Sequence, residues 1–437
     1  MDSTLASTHP NEETPSLNRA RRAALGSFAG AVVDWYDFLL YGITAALVFN
    51  REFFPQVSPA MGTLAAFATF GVGFLFRPLG GVIFGHFGDR LGRKRMLMLT
   101  VWMMGIATAL IGILPSFSAI GWWAPVLLVT LRAIQGFAVG GEWGGAALLS
   151  VESAPKNKKA FYSSGVQVGY GVGLLLSTGL VSLISQLTTD EQFLSWGWRI
   201  PFFLALPMGV VALWLRVSME ETPSFVQQQE KPLVAQADTI ATVKAIMMGI
   251  GRVMVWSAAG YTYLVIMPTY LQSALHTGFN QALLIAVISN IGFALTIIPS
   301  GILSDRIGRR TVMIIATVLL LLLALPLLKI LQAESSTLAV KAVVVLIAGG
   351  LVGMLAGPGP AMLSEMFPTR VRYTGLGLAY SLSNAIFSGC AGLIITGLIK
   401  QTGNLDIPAY YVMATAVVSI VALLTLRKDD HLRSLEE

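Results

Sequence analysis

Apolar runs long enough to cross a membrane recur twelve times along the chain, at 24–49, 60–86, 95–114, 123–150, 159–185, 199–218, 245–273, 280–303, 311–331, 338–363, 373–399 and 407–426. About 20 apolar residues span the hydrocarbon core as a helix, and within lipid each segment must satisfy its own backbone polar groups. The runs therefore dictate an all-α polytopic membrane protein of twelve transmembrane helices. Only 12% of the residues are charged, against roughly 25% in a soluble domain. The first 23 residues are polar and end in Arg19, Arg21 and Arg22, but the next run contains Asp34 and Asp37. It is too long and too charged for a cleavable signal. Cys390 is the single cysteine, which rules out an intrachain disulfide.

A pI near 9.4 invites a nucleic-acid reading, yet the basic residues follow a membrane pattern. Lys and Arg number 21 in the two tails and the loops on the N-terminal side and five in the opposite loops. By the positive-inside rule both termini are cytoplasmic, and no nucleic-acid partner is expected.

An internal repeat fixes the architecture. Gly85-His-Phe-Gly-Asp89-Arg90-Leu-Gly92-Arg93-Lys94 follows the second run and Gly301-Ile-Leu-Ser-Asp305-Arg306-Ile-Gly308-Arg309-Arg310 the eighth, offset by 216. Glu152 with Pro155, and Glu365 with Pro368, repeat at an offset of 213. Both are followed by basic residues, Lys156, Lys158 and Lys159 in one case and Arg370 and Arg372 in the other. The chain thus divides into a tail (1–23), a six-helix bundle (24–219), a polar linker (220–244), a second six-helix bundle (245–427) and a tail (428–437). Duplicated bundles are a common basis of alternating access. Gly136, Gly140 and Gly144 in the fourth run, and Gly165, Gly169 and Gly173 in the fifth, have the spacing that lets helix backbones approach closely.

The doubled Gly-x-x-x-Asp-Arg-x-Gly-Arg loop resembles the hallmark of the major facilitator superfamily. Asp34-Trp35-Tyr36-Asp37-Phe38, Phe76-Arg77-Pro78-Leu79-Gly80-Gly81, Gly140-Gly141-Glu142-Trp143, Gly197-Trp198-Arg199-Ile200-Pro201-Phe202 and Pro268-Thr269-Tyr270-Leu271 sharpen the resemblance to its metabolite:proton symporter family. That resemblance covers the whole length. It implies a proton-driven importer of carboxylates or compatible solutes in the bacterial inner membrane, with no cofactor. It also implies a cytoplasmic clasp of Asp89, Arg93 and Glu152 in one half and Asp305, Arg309 and Glu365 in the other. Ordinary interfacial charges are the alternative reading of those six. The fifth run has no proline, which departs from the Gly-Pro pattern resembling drug antiporters.

An ionisable group at the bilayer centre costs at least ~2.5–3.5 kcal/mol and needs a partner or a task. Asp34, Asp37, Arg77, Arg132 and Glu142 lie well inside their runs. At 1.5 Å per residue, Asp34, Arg77 and Glu142 are about 15–18 Å deep, near the midplane. Arg77 offers a planar fork matched to a carboxylate, or else a static partner for Asp34 or Asp37. Asp34, Asp37 and Glu142 are candidates for carrying the coupled proton. Three such carboxylates against Arg77 and Arg132 leave a cluster disposed to take one up. Arg77 and Arg132, with Tyr36, Tyr41 and Gln135 beside these charges, are the substrate-binding candidates of the first half. The second half offers Tyr261, Tyr263, Asn290, Tyr380 and Asn384 as polar candidates in place of charge.

His9, His86, His276 and His431 fall in tails and loops, and no spacing suggests a metal cluster or a nucleophile triad. A membrane enzyme or a passive channel is therefore disfavoured. The expected function is proton symport of a small hydroxylated carboxylate by a monomer in the lipid bilayer. Another small organic acid or a zwitterion of the dicarboxylate, betaine or proline type is the alternative. Reporter fusions should show both termini on the cytoplasmic side; periplasmic activity at either end would refute the topology.

Overall fold

The computed structural model describes residues 17–230, 239–432 and 435. Twelve helices among them are long and apolar enough to cross a membrane. They are α1 Leu17–Thr44, α2 Ala68–Leu91, α3 Arg93–Ile113, α4 Trp123–Glu152, α5 Lys159–Leu187, α6 Asp190–Val217, α7 Thr239–Ser273, α8 Leu284–Ile307, α9 Arg309–Gln332, α10 Leu338–Glu365, α11 Thr369–Thr402 and α12 Ile407–Leu424. Each coincides with an expected run. Helix α1 starts earlier than the apolar pattern, because its basic first turns continue the helix beyond the hydrocarbon. The expected linker contains a short helix, Pro223–Glu230. Residues 1–16 and 231–238 and most of 433–437 lie outside the described residues.

Two bundles, α1–α6 and α7–α12, repeat the same packing. Helix α2 lies against α4 in the first as α8 lies against α10 in the second, and the bundles meet where α2 packs on α11 and α5 on α8. Small residues set these distances. A Cβ at Gly136 or Gly140 of α4 would overlap the carbonyls of Gly73 and Arg77 on α2, and one at Gly169 or Gly173 would strike the α1 backbone. Gly144 instead meets Gly377 of α11 across the bundle interface, while Gly165 faces open space.

The repeat extends to the irregularities. A π-helical turn opens at Ala45 in α1 and another at Tyr261 in α7, 216 residues on, at the offset of the loop motif. Pro268 has no N–H for the Leu264 carbonyl, which favours the wider turn in α7. Two further π turns have no counterpart at that offset, Phe193–Gly197 in α6 and Asn384–Gly389 in α11. Such turns present side chains that a regular helix would turn away, and they concentrate at functional sites.

The motif loops are single-residue reversals. Gly92 joins α2 to α3 at φ +112° and Gly308 joins α8 to α9 at φ +98°, values that side chains with a Cβ rarely adopt. Gly308→Ala should therefore cost about 1–3 kcal/mol, read as a lowered melting temperature of the purified protein in detergent. An unchanged melting temperature would show the turn to be unstrained.

Candidate functional site

Between the bundles lies a narrow cavity of about 60 Å³. The N-terminal bundle contributes Trp35, Phe38, Phe74, Arg77, Gln167 and Tyr170, and the C-terminal bundle contributes Trp256, Ser257, Tyr261, Tyr380, Asn384 and Ser388 among others. The π turns of α7 and α11 supply Tyr261, Asn384 and Ser388. Arg77 is half-buried there. Its guanidinium lies over the rings of Phe74 at 4.4 Å and Phe38 at 5.3 Å. Its Nε has no hydrogen-bond partner, and it forms no ion pair among the described residues, so the static pair with Asp34 or Asp37 is not formed. Gln167 is buried with its Nε2 unpartnered. Across the cavity, the Ser388 hydroxyl is 2.9 Å from the Ser257 carbonyl and 3.0 Å from Asn384 Oδ1.

The other buried charges face into the N-terminal bundle. Asp37 accepts from Thr108 at 2.6 Å and from Gln135 at 2.7 Å, and pairs with Arg132 at 3.6 Å. Arg132 also donates to Gln135 Oε1 and lies 4.4 Å from the Tyr41 ring centroid. Glu142 accepts from Thr100 at 2.5 Å and is gripped by both terminal nitrogens of Arg216, whose other partners are the Leu97 and Gly26 carbonyls. Asp34 is buried too, but its Oδ1 has no partner and it joins no ion pair among the described residues. It lies within electrostatic range of Glu142, Arg216, Arg77 and Asp37.

Several expectations are thereby corrected. Arg132, Gln135 and Tyr41 are absorbed in the Asp37 network and do not line the cavity. Tyr36 donates to the Pro201 carbonyl, and Asn290 donates back to the Ala286 carbonyl of its own helix. Tyr263 is buried outside the cavity lining, where its carbonyl accepts from Ser289. The charge balance changes as well. Arg216 is fully buried, so Asp34, Asp37 and Glu142 face three cations rather than two. Read along the chain, Arg216 resembles a loop residue, because it sits at the end of its apolar run. Arg252 of α7 is also buried, and it donates to the Ala422 carbonyl and to Thr425.

The face carrying the repeated loops, here the motif face, is closed. Asp89 accepts from the backbone N–H groups of Tyr373 and Thr374 at the start of α11, both at 3.1 Å, and from the Thr374 hydroxyl. Asp305 does the same for α5, accepting from Ala160 at 3.0 Å and Phe161 at 2.9 Å. Each carboxylate thus caps a helix of the opposite bundle, where the dipole and free N–H groups favour an anion. Glu152 pairs with Arg93 at 2.9 Å and with Arg372 of the other bundle at 2.8 Å. Glu365 pairs with Arg309 at 3.1 Å and with Lys159 of the other bundle at 3.7 Å. All six residues expected in the clasp are brought together, joined by Arg372 and Lys159. Deeper in, the Tyr380 ring stacks on Trp143 at 3.5 Å across the interface.

A cavity between two repeated bundles, closed on one face by breakable polar contacts, defines a membrane transporter of the alternating-access type. The sugar (and other) transporter family profile matches residues 23–244, and the Major Facilitator Superfamily profile matches residues 250–436. The chain is 60% identical to the shikimate transporter of Escherichia coli (strain K12), over 98% of this chain and 99% of that one. It is 37% identical to the proline/betaine transporter of the same organism, over 94% and 84% of the two chains. The solved structure of the proton:xylose symporter XylE bound to 6-bromo-6-deoxy-D-glucose shares the fold, with a TM-score of 0.75 at 17% identity over 93% of this chain and 95% of that one. The chain belongs to the Major Facilitator Superfamily. It is a multi-pass membrane transporter and not an enzyme.

Removing one member of a buried ion pair strands the other, at about 3–5 kcal/mol. Arg216→Met should accordingly lower the melting temperature sharply, and Glu142→Gln combined with it should recover most of the loss. Equal destabilisation in the single and double variants would mean that Arg216 does not act through Glu142.

Proposed function

We propose that this transporter imports shikimate together with protons, from the periplasm to the cytoplasm across a bacterial inner membrane. The observation that carries the reading is Arg77, which lines the central cavity and joins no ion pair among the described residues. A free guanidinium fork suits a carboxylate, and Gln167, Ser257, Asn384 and Ser388 suit a hydroxylated ring. The likeness to the shikimate transporter over nearly the whole chain supports that substrate. The motif face is cytoplasmic in this reading, so the closed clasp corresponds to a state loaded from the periplasm. Asp89, Arg93, Glu152, Asp305, Arg309 and Glu365 act as the gate. The protein works as a monomer, and the proton gradient drives it without a cofactor.

Coupling follows from charge balance. Glu142 and Arg216 neutralise each other, as do Asp37 and Arg132. Among the described residues of the N-terminal bundle this leaves the buried Asp34 and the half-buried Arg77 without ion pairs, within electrostatic range of one another. A bound carboxylate occupies Arg77 and leaves Asp34 uncompensated, and a proton on Asp34 restores neutrality in a medium where net charge is costly. Linkage makes the effect reciprocal, so anion and proton bind with positive coupling. Asp34 is thus preferred over Asp37 and Glu142 as the proton carrier.

A second reading takes its support from Trp35, Trp256 and Tyr380, aromatic faces that a quaternary ammonium would find favourable. It gives a zwitterion of the betaine or proline type as substrate, as the name of the proline/betaine transporter suggests.

Energised vesicles should accumulate labelled shikimate, a protonophore should abolish the accumulation, and excess betaine or proline should compete poorly. Arg77→Ala should weaken binding by about 2–5 kcal/mol, with Arg77→Lys intermediate. Asp34→Asn should keep shikimate exchange and lose uptake driven by a pH gradient. Wild-type affinity in Arg77→Ala, or gradient-driven accumulation in Asp34→Asn, would overturn these assignments; efficient competition by betaine would favour the second reading.

A further inference from the structure

Tyr373 stands where the clasp meets the buried charges. It belongs to α11 of the C-terminal bundle, yet its fully buried ring occupies a slot in the N-terminal one. The ring fills the space in which Cβ atoms on Gly88 of α2 and Gly145 of α4 would stand. Its hydroxyl donates to the Gly141 carbonyl at 2.7 Å, next to Glu142 in the chain. Its backbone N–H donates to Asp89 at 3.1 Å. The charged groups around it are Glu142 and Arg216 on the inner side and Asp89 and Arg93 on the outer. One residue is therefore held at its backbone by the gate and at its tip by the helix that carries a buried carboxylate.

We propose that Tyr373 is a bolt that isolates the Glu142–Arg216 pair, and Asp34 beyond it, from water at the motif face, so that opening the gate and exposing these groups to that water are one event. The inference rests on the proton-symport reading. Its physical basis is the shape of the slot. Glycines on two helices leave a gap as wide as an aromatic ring, leading from the clasp towards Glu142, and the ring fills it. With the ring seated, no file of water can reach the carboxylates from that side. When α11 leaves α2, the Asp89 cap and the Gly141 hydrogen bond break together, because Tyr373 takes part in both, and the gap opens. A ring held only for packing would need no hydroxyl bonded across the bundle interface.

The test uses the full chain in proteoliposomes with an internal pH dye and an imposed membrane potential. Tyr373→Ala should raise the proton flux seen without substrate severalfold and lower the number of shikimate molecules accumulated per proton, while shikimate counterflow persists. Tyr373→Phe keeps the ring and should leak close to the wild-type rate, with faster counterflow because a bond across the interface is gone. Gly88→Val leaves the tyrosine intact but pushes its ring out of the slot and holds α11 off α2 there, and should leak like Tyr373→Ala. It carries the test if the alanine variant fails to insert. Wild-type leak and coupling ratio in both Tyr373→Ala and Gly88→Val would overturn the bolt. Absence of shikimate-dependent proton movement in the wild type would instead overturn the symport reading, and the leak without substrate would still decide the role of Tyr373.

Discussion

Burying charge in hydrocarbon is so unfavourable that it organises everything else in the N-terminal bundle. Arg216 reaches from α6 to Glu142 on α4 and to the Leu97 carbonyl on α3, while Arg132 joins Asp37 with help from Gln135 and Thr108. Thr100 and Thr108, both on α3, each supply a hydroxyl to one carboxylate. These networks tie α1, α3, α4 and α6 into a rigid body. Among the described residues they also leave Arg77 and Asp34 outside any ion pair. The proposed substrate and proton roles fall on that remainder.

The same constraint gives the gate its character. Its aspartates cap helix termini of the opposite bundle and its glutamates pair with that bundle's Arg372 and Lys159, so these closing contacts are made to groups that water can satisfy once the bundles part. Such contacts exchange one set of hydrogen bonds for another at modest net cost. The interior pairs have no comparable alternative. Duplication makes the gate two-sided, Asp89 on α11 and Asp305 on α5, so closing engages both bundle interfaces at once.

Much of this was legible in the sequence because it depends on local pattern. Apolar length marks a membrane helix whatever its neighbours. The repeated loop announces the duplication, its glycines announce a turn with positive φ, and the pairing of Asp89 with Arg93 or Asp305 with Arg309 is a one-turn relation on adjoining helix ends. Arg77 could be chosen from depth alone. Tyr36, Tyr41, Arg132 and Gln135, candidates for the substrate from the sequence, bond within their own bundle, since a helical face can point at a neighbour in its own bundle or at the cavity and the one-dimensional pattern is the same for both. Arg216 and Tyr373 gave no signal. A basic residue at the end of an apolar run and a tyrosine near the start of one are ordinary interfacial residues until a partner helix is in place.

The sequence by itself determined the class of protein: a twelve-helix, two-bundle membrane transporter with charged residues at the midplane of its first half. Those conclusions rest on transfer energies and helical rise, which are properties of each segment alone. The tertiary structure decided which charges neutralise one another and which remain available, which polar residues line the cavity, and which tyrosine crosses from one bundle into the other. Each of these depends on distances between helices far apart in the chain, where a shift of a few ångströms separates an ion pair from an unpaired charge.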